Sequence, residues 1–138
     1  MNLNGVELFL GGESGLDPHS FSPLALAYIG DAVFEVLVRL TVMTDGNAPV
    51  NRLHKKARNM VNAKAQAEMY FRIKKQLTEE EAAAFRRGRN AKSFTVPKNA
   101  DLMDYRHATG LEAVFGYLYL KGYSARAAEL FRMGMETE

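Results

Sequence analysis

An apolar run of 21 residues, PLALAYIGDAVFEVLVRLTVM at 23–43, carries only three charges, Asp31, Glu35 and Arg39. It is long enough to cross a bilayer, but three charges near its middle argue against that, and it reads as a helix buried all round except at those three residues. Their spacing of four places them on one helix face, which must look toward a partner, a metal or water, because burying an uncompensated carboxylate costs several kcal/mol. Glu35 and Arg39 stand in the favourable order for an intrahelical ion pair. Asp31 is then the residue to explain. A second apolar run, ATGLEAVFGYLYL at 108–120, holds a single acid, Glu112. Gly30 and Gly116 accompany the two acids, so the carboxylates are expected to meet where two helix backbones pack closely, as helices build a divalent-metal site. The competing reading makes each acid a polar group tied to a neighbouring side chain.

A chain of 138 residues forms one domain with a sizeable core. The absence of cysteine excludes disulfides and thiolate zinc sites and fits a reducing compartment. The N-terminus, MNLNGVELFLGG, lacks the basic start and long apolar stretch of a signal peptide. These features point to a cytoplasmic protein without membrane association. The formal charge of +2 hides an asymmetry: residues 51–98 hold thirteen Lys or Arg against four acids, a net +9, and the remainder carries a net −7. Such a basic middle third suits a face that meets a polyanion, against the plainer reading of solvated helix faces.

Residues 1–21 are glycine-rich and weakly periodic, and read as a loosely packed lead-in to a domain at 22–138. Ser22 and Pro23 are an N-cap and a proline at the first helical position, and Gly46 stands where the first long helix should stop. After Pro49 a second helix turns Leu53, Ala57, Met60 and Val61 inward. Asn62 can cap a third, containing Ala65, Met69, Ile73 and Leu77, and Thr78 with Glu81 forms a capping box for a fourth. That fourth helix is expected to break into a basic, mobile loop over RRGRNAKSFTVPKN, at Gly88, Pro97 and Asn99. The helix through Glu112 ends before Gly122, and Ser124 can cap a last one with Ala127, Leu130 and Phe131 inward. No stretch alternates as a strand does. The fold class is all-α, with about six helices and no internal repeat.

His19, His54 and His107 lack partners at metal-ligand spacing, and Tyr105, Tyr117 and Tyr119 fit packing roles. Serine-nucleophile, Walker-type and dinucleotide motifs are absent. The basic candidates for nucleic-acid contact fall into two sets. Arg52, Lys55, Lys56 and Arg58 ride on a helix and suit phosphate positioning, while Arg86, Arg87, Arg89, Lys92 and Lys98 surround the expected loop. Without interleaved stacking aromatics, a double-stranded target read by shape is favoured over a single strand.

LAYIGDAVFE at 26–35 resembles the signature helix of the ribonuclease III family, and ATGLEAVFGYLYL resembles its second catalytic helix. LHKKARNMVNAKAQAE, RGRNAKSFTVPKN and YRHATGLEAVFGYLYL resemble Mini-ribonuclease III, the short bacterial branch of that family. The resemblance spans about residues 22–122. It implies a ribonuclease III-like endonuclease domain in which Asp31 and Glu112 are both catalytic residues and ligands of Mg²⁺. Two further acids of the wider family are missing: Ala27 stands four residues before Asp31, and Thr109 three before Glu112. The separate double-stranded-RNA-binding domain of longer members has no counterpart here. Both departures are typical of the short branch. The implied activity is Mg²⁺-dependent endonucleolytic cleavage of double-stranded RNA by a homodimer. The implied substrate is precursor 23S ribosomal RNA, and an accessory ribosomal protein is left open as a partner. Phe34 and Leu37, flanking Asp31, are expected at the dimer interface. Two other classes stand beside this reading: a non-catalytic RNA-binding or ribosome-assembly module that kept the fold, and a helical metal-dependent phosphohydrolase acting on nucleotides.

Overall fold

The computed structural model describes residues 4–9, 15–92, 98 and 101–136. Among them are seven α-helices: α1 (Asn4–Phe9), α2 (Pro23–Met43), α3 (Val50–Val61), α4 (Ala63–Ile73), α5 (Glu79–Asn90), α6 (Leu102–Leu120) and α7 (Ser124–Met135). Two single 3₁₀ turns, Pro18–Ser20 and Lys74–Gln76, complete the regular structure, and no strand occurs among the described residues. The all-α expectation holds.

α6 is the centre of the domain because its sequence is apolar on every side. From Ala108 to Leu118 every residue is buried except the half-buried Glu112, as expected for a helix that is hydrophobic all round. α2, α5 and α4 pack against it, and α7 closes the far side through α4 and α6. Phe34 of α2 meets Phe115 of α6 and Phe131 of α7 edge-on, with ring centroids 5.5 and 5.4 Å apart. Tyr70 of α4 stacks on Phe85 of α5 at 3.6 Å.

Local signals set the helix starts. Ser22 Oγ accepts from Ala25 N at 3.1 Å with Pro23 behind it, and Asn62 Oδ1 accepts from Ala65 N at 2.9 Å. Thr78 and Glu81 form the reciprocal capping box. Gly46 and Gly122 follow the ends of α2 and α6 with φ of 100° and 81°, a conformation that favours glycine. Glu35 and Arg39 pair at 3.3 Å as their spacing predicts.

Within residues 1–21 the structure describes α1 and a 3₁₀ turn, and Phe9 of α1, 79% exposed, lies at the rim of the apolar surface formed by Ile29, Val33 and Tyr119. Three expectations fail. α2 is not buried all round: Tyr28 is 82% exposed, and Val36 and Leu40 are each 57% exposed. The helix is apolar on both its inner and outer faces, so its composition could not distinguish them. Gly88 does not break α5, which continues to Asn90; the glycine is buried, and a Cβ there would come 2.8 Å from Ala113 Cβ. Close approach of α6 explains the glycine, and Arg86, Arg87 and Arg89 therefore lie on a helix instead of a mobile loop. Pro97 and Asn99 lie outside the described residues. Finally, the residue capping α7 is Tyr123, without a side-chain bond, and Ser124 is its first helical residue.

Candidate active site

The site begins with a contact between two backbones. A Cβ built on Gly30 would sit 1.7 Å from the carbonyl oxygen of Glu112, and one on Gly116 would sit 1.9 Å from that of Leu26. Only glycine fits at these two points, so α2 and α6 cross with no side chain between them. Asp31 follows Gly30 directly and Glu112 supplies the carbonyl that Gly30 meets. The acids therefore come together on one edge of the crossing, with the Asp31 and Glu112 carboxyls near enough to interact.

Their environments differ. Asp31 is exposed and Glu112 is half-buried. Burial pushes the Glu112 carboxyl up, the hydrogen bond with Asp31 and its negative charge push it further, and the Gln66 amide draws it partly back, leaving it at about 8. Near neutral pH the raised Glu112 carboxyl keeps a proton beside Asp31, and a cation bound by the two acids would take that proton's place. The donor set fits a hard divalent ion, which takes carboxylate oxygens and tends to keep several waters, and Asp31 is open to solvent. No group of three or more His, Cys, Asp or Glu able to hold a metal occurs among the described residues, so the carboxylates available to a cation here are these two. Ala27 is buried, and buried Thr109 donates its Oγ1 proton to Tyr105 O at 3.0 Å. Neither position supplies an ionisable group.

Gln66 was not foreseen. It lies in the first turn of α4, on the inward face with Met69, Tyr70 and Ile73, and is only 4% exposed. A glutamine on an otherwise apolar inward face was the available signal. The histidines are engaged elsewhere. His107 packs against Tyr70, Phe71 and Phe85 with Nδ1 2.7 Å from Met103 O, His19 meets the edge of Tyr117, and His54 is exposed beside the groove between α2 and α3.

The two basic sets do not form one patch. α3 packs on the C-terminal end of α2, where Leu53, His54 and Ala57 face Val42 and Met43. Its Arg52, Lys55, Lys56 and Arg58 are exposed, and Lys56 has a loose ion pair with Asp45 at 3.8 Å. Arg86 and Arg87 of α5 are exposed near Pro23, at the opposite end of α2. Asp31 lies between, roughly 12 Å along the helix from Pro23 and 18 Å from Met43 at the usual rise per residue. Arg89 is half-buried with its guanidinium 5.8 Å from the Phe85 ring centroid and is the least available of the set. Lys92 and Lys98 are exposed beyond α5. Exposed basic side chains thus lie near both ends of the helix that carries Asp31.

The Ribonuclease III domain matches residues 24–123, a span that runs from the first turn of α2 past the end of α6. The chain belongs to the ribonuclease III family and is an endoribonuclease. Within the family it is similar to proteins named Mini-ribonuclease 3, as the three motifs suggested. It is 48% identical to that of Thermoanaerobacter sp. over 85% of this chain and 82% of the relative. It is also 48% identical to that of Brevibacillus brevis over 83% and 85%, and 46% identical to that of Clostridium tetani over 91% and 84%. A crystal structure of a Fusobacterium nucleatum protein, 33% identical, superposes with a TM-score of 0.73 over 81% of this chain and 89% of that one.

Proposed function

We propose that the protein is a Mg²⁺-dependent endonuclease for double-stranded RNA, that it acts as a homodimer, and that its substrate is the stem of precursor 23S ribosomal RNA. The observation that carries the reading is the acid pair at the glycine crossing, flanked at both ends of α2 by exposed Lys and Arg. Asp31 and Glu112 would hold the cation. When bound, it supplies an acidified water and neutralises charge on the scissile phosphate and the leaving oxygen. The protein's own part is to hold two oxygen donors at a fixed separation and to seat the duplex. Arg86 and Arg87 from one side, and Arg52, Lys55, Lys56 and Arg58 from the other, suit contacts to phosphates on either side of the scissile bond. Lys92, Lys98 and Arg89 extend the first group.

The dimer rests on the outer face of α2. Tyr28, Val36, Leu40 and Met43 form an exposed apolar stripe on the helix that carries Asp31, and stripes of that kind mark association surfaces. A twofold pair joined there would place two sites on one duplex. Phe34 takes no part in it, being fully buried in its own core, whereas Leu37 is partly buried beside Val33 and Val36 and remains a candidate. The catalytic domain is assigned to residues 22–138 with 1–21 as lead-in, the compartment is the cytoplasm, and a ribosomal protein presenting the RNA is compatible with the small footprint. Among the described residues no helix is long and apolar enough to cross a membrane.

Incubation with duplex RNA, single-stranded RNA and nucleotides, each with and without Mg²⁺, tests the reading. Cleavage confined to the duplex and to Mg²⁺ is expected. Duplex binding without cleavage would indicate a non-catalytic module, and nucleotide hydrolysis a small-molecule phosphohydrolase. Alanine at Arg86 and Arg87 should lower the slope of log K against log salt by about one per lost phosphate contact, on the scale known for duplex DNA. An unchanged slope would make these two a solvated face.

A further inference from the structure

We propose that Gln66 is a positioning residue for the metal site, holding the Glu112 carboxylate in the orientation a divalent cation requires. The inference rests on the functional reading above. Gln66 is 4% exposed, yet its Nε2 has no hydrogen-bond partner. A buried donor left unpaired is uncommon in a native core and calls for an explanation. Its neighbours on the same face of α4, Ala67, Met69, Tyr70 and Ile73, are packed into the core, so an apolar side chain would satisfy packing there.

The amide has one charged neighbour that gives it a purpose. Gln66 stands beside the Glu112 carboxyl, while its buried Nε2 has no hydrogen-bond partner. The Glu112 carboxyl also lies beside that of Asp31. A cation between the two acids would replace that contact, leaving one Glu112 oxygen on the cation side and the other free to accept from Nε2. The donor unpaired here would then be paired in the state that acts. A neutral amide suits this role better than an acid, which would add a third negative charge, or a lysine, which would compete with the cation for the carboxylates. Register is fixed from outside the site: Asn62 caps α4 through Ala65 N at 2.9 Å and also donates to Arg58 O at 3.1 Å, anchoring the turn that carries Gln66. Groups that orient metal ligands without touching the metal commonly change affinity by 10- to 100-fold when removed.

The test is Gln66→Met in the full chain, with Mn²⁺ as a spectroscopic probe in the absence of RNA and thermal melting alongside. We expect Mn²⁺ affinity to fall roughly tenfold while the melting temperature of the metal-free protein is unchanged or higher, because an unpaired buried donor has been removed. Cleavage should then need more Mg²⁺, with kcat at saturating Mg²⁺ closer to wild type than activity at low Mg²⁺. Wild-type Mn²⁺ affinity in a folded Gln66→Met protein would overturn the proposal, as would a fall in melting temperature with affinity unchanged. Should that variant not fold, Gln66→Asn keeps the amide but shortens its reach: weaker Mn²⁺ binding supports the role, and unaltered binding overturns it. Wild-type protein that binds no Mn²⁺, and cuts duplex without any divalent ion, would instead remove the metal reading itself.

Discussion

Two glutamates on adjacent helices, Glu81 of α5 and Glu112 of α6, are taken from water in opposite ways. Burial pushes the Glu81 carboxyl up, but Arg126 and the Thr78 amide outweigh it and hold the group below its ordinary range. Arg126 donates to both of its oxygens at 2.9 Å, and Thr78 N adds a third bond at 2.9 Å. Burial also pushes Glu112 up, but its nearest charged neighbour is another acid, and it reaches about 8. One carboxylate is saturated with donors and ties α7 to α5. The other faces a second acid in place of a cationic donor. Burial alone does not set the charge of a carboxyl; the character of its partners does.

The contrast fails first if the acids do not depend on the backbone crossing. Gly30→Ala would drive a methyl group into the Glu112 carbonyl, with 1.7 Å between them in the present geometry. Helix separation should cost on the order of 4–5 kcal/mol, at the upper end for single substitutions, and abolish cleavage in whatever fraction folds. Urea titration and a cleavage assay check this. A variant of wild-type stability would mean the crossing yields easily and the acid pair is not held by it.

Glu112→Gln should cut cleavage on the order of a thousandfold, about 4 kcal/mol of transition-state stabilisation. Because a carboxyl raised to about 8 is already largely protonated near neutral pH, a neutral amide in its place should leave the melting temperature of the metal-free protein equal to or above that of wild type. Asp31→Asn should behave alike. A Glu112→Gln protein that melts well below wild type would place Glu112 in the same class as Glu81, as a group the fold requires. Near wild-type cleavage would remove it from the site.

Much of this was legible in the sequence where the signal was local. Gly30–Asp31 and Glu112 with Gly116 announced a close crossing bearing acids, and Ser22, Asn62 and the Thr78–Glu81 box announced helix starts, because caps act within three residues. What the sequence concealed depended on partners far along the chain. Gly88 reads as a breaker until Ala113 and Gly110 are seen against it. Phe34 and Tyr28 are both aromatic residues of one apolar helix, and only tertiary packing sends one to the core and the other to the surface. Gln66 meets Glu112 from 46 positions away, and Arg126 meets Glu81 across 45.

Glu81→Gln should be the reverse of Glu112→Gln. Removing the charge opposite Arg126 should cost about 3 kcal/mol, the lower end for a broken buried pair, since Arg126 keeps Gln76 O at 2.8 Å and Glu129. Cleavage per folded molecule should not change. The pH dependence has a definite sign: a carboxylate whose pKa is lowered on folding stabilises the protein above its unfolded value of about 4.5, and that contribution is lost as pH falls through the folded value. Urea midpoints below pH 4.5 should therefore decline less steeply in Glu81→Gln than in wild type. Parallel declines would show that Arg126 does not hold the carboxylate.

The smallest effect separates the cap from the ion pair. Thr78 Oγ1 accepts from Glu81 N at 3.2 Å, while Thr78 N donates to Glu81 Oε1 at 2.9 Å. Thr78→Ala removes the first bond and the hydroxyl's minor share in lowering the Glu81 carboxyl, leaving one amide at the start of α5 without its acceptor, and should cost about 1 kcal/mol, with Thr78→Ser near wild type. The second bond and both bonds from Arg126, the larger causes of the lowered carboxyl, survive, so the acid limb of stability should keep most of its steepness and cleavage should be unaffected. If Thr78→Ala instead cost as much as Glu81→Gln and flattened the acid limb equally, the capping turn and not the guanidinium would be what holds Glu81 ionised. The two glutamates would then differ because Glu81 lies in the first turn of its helix and Glu112 in the middle of its own, a difference of helix position that Arg126 merely accompanies.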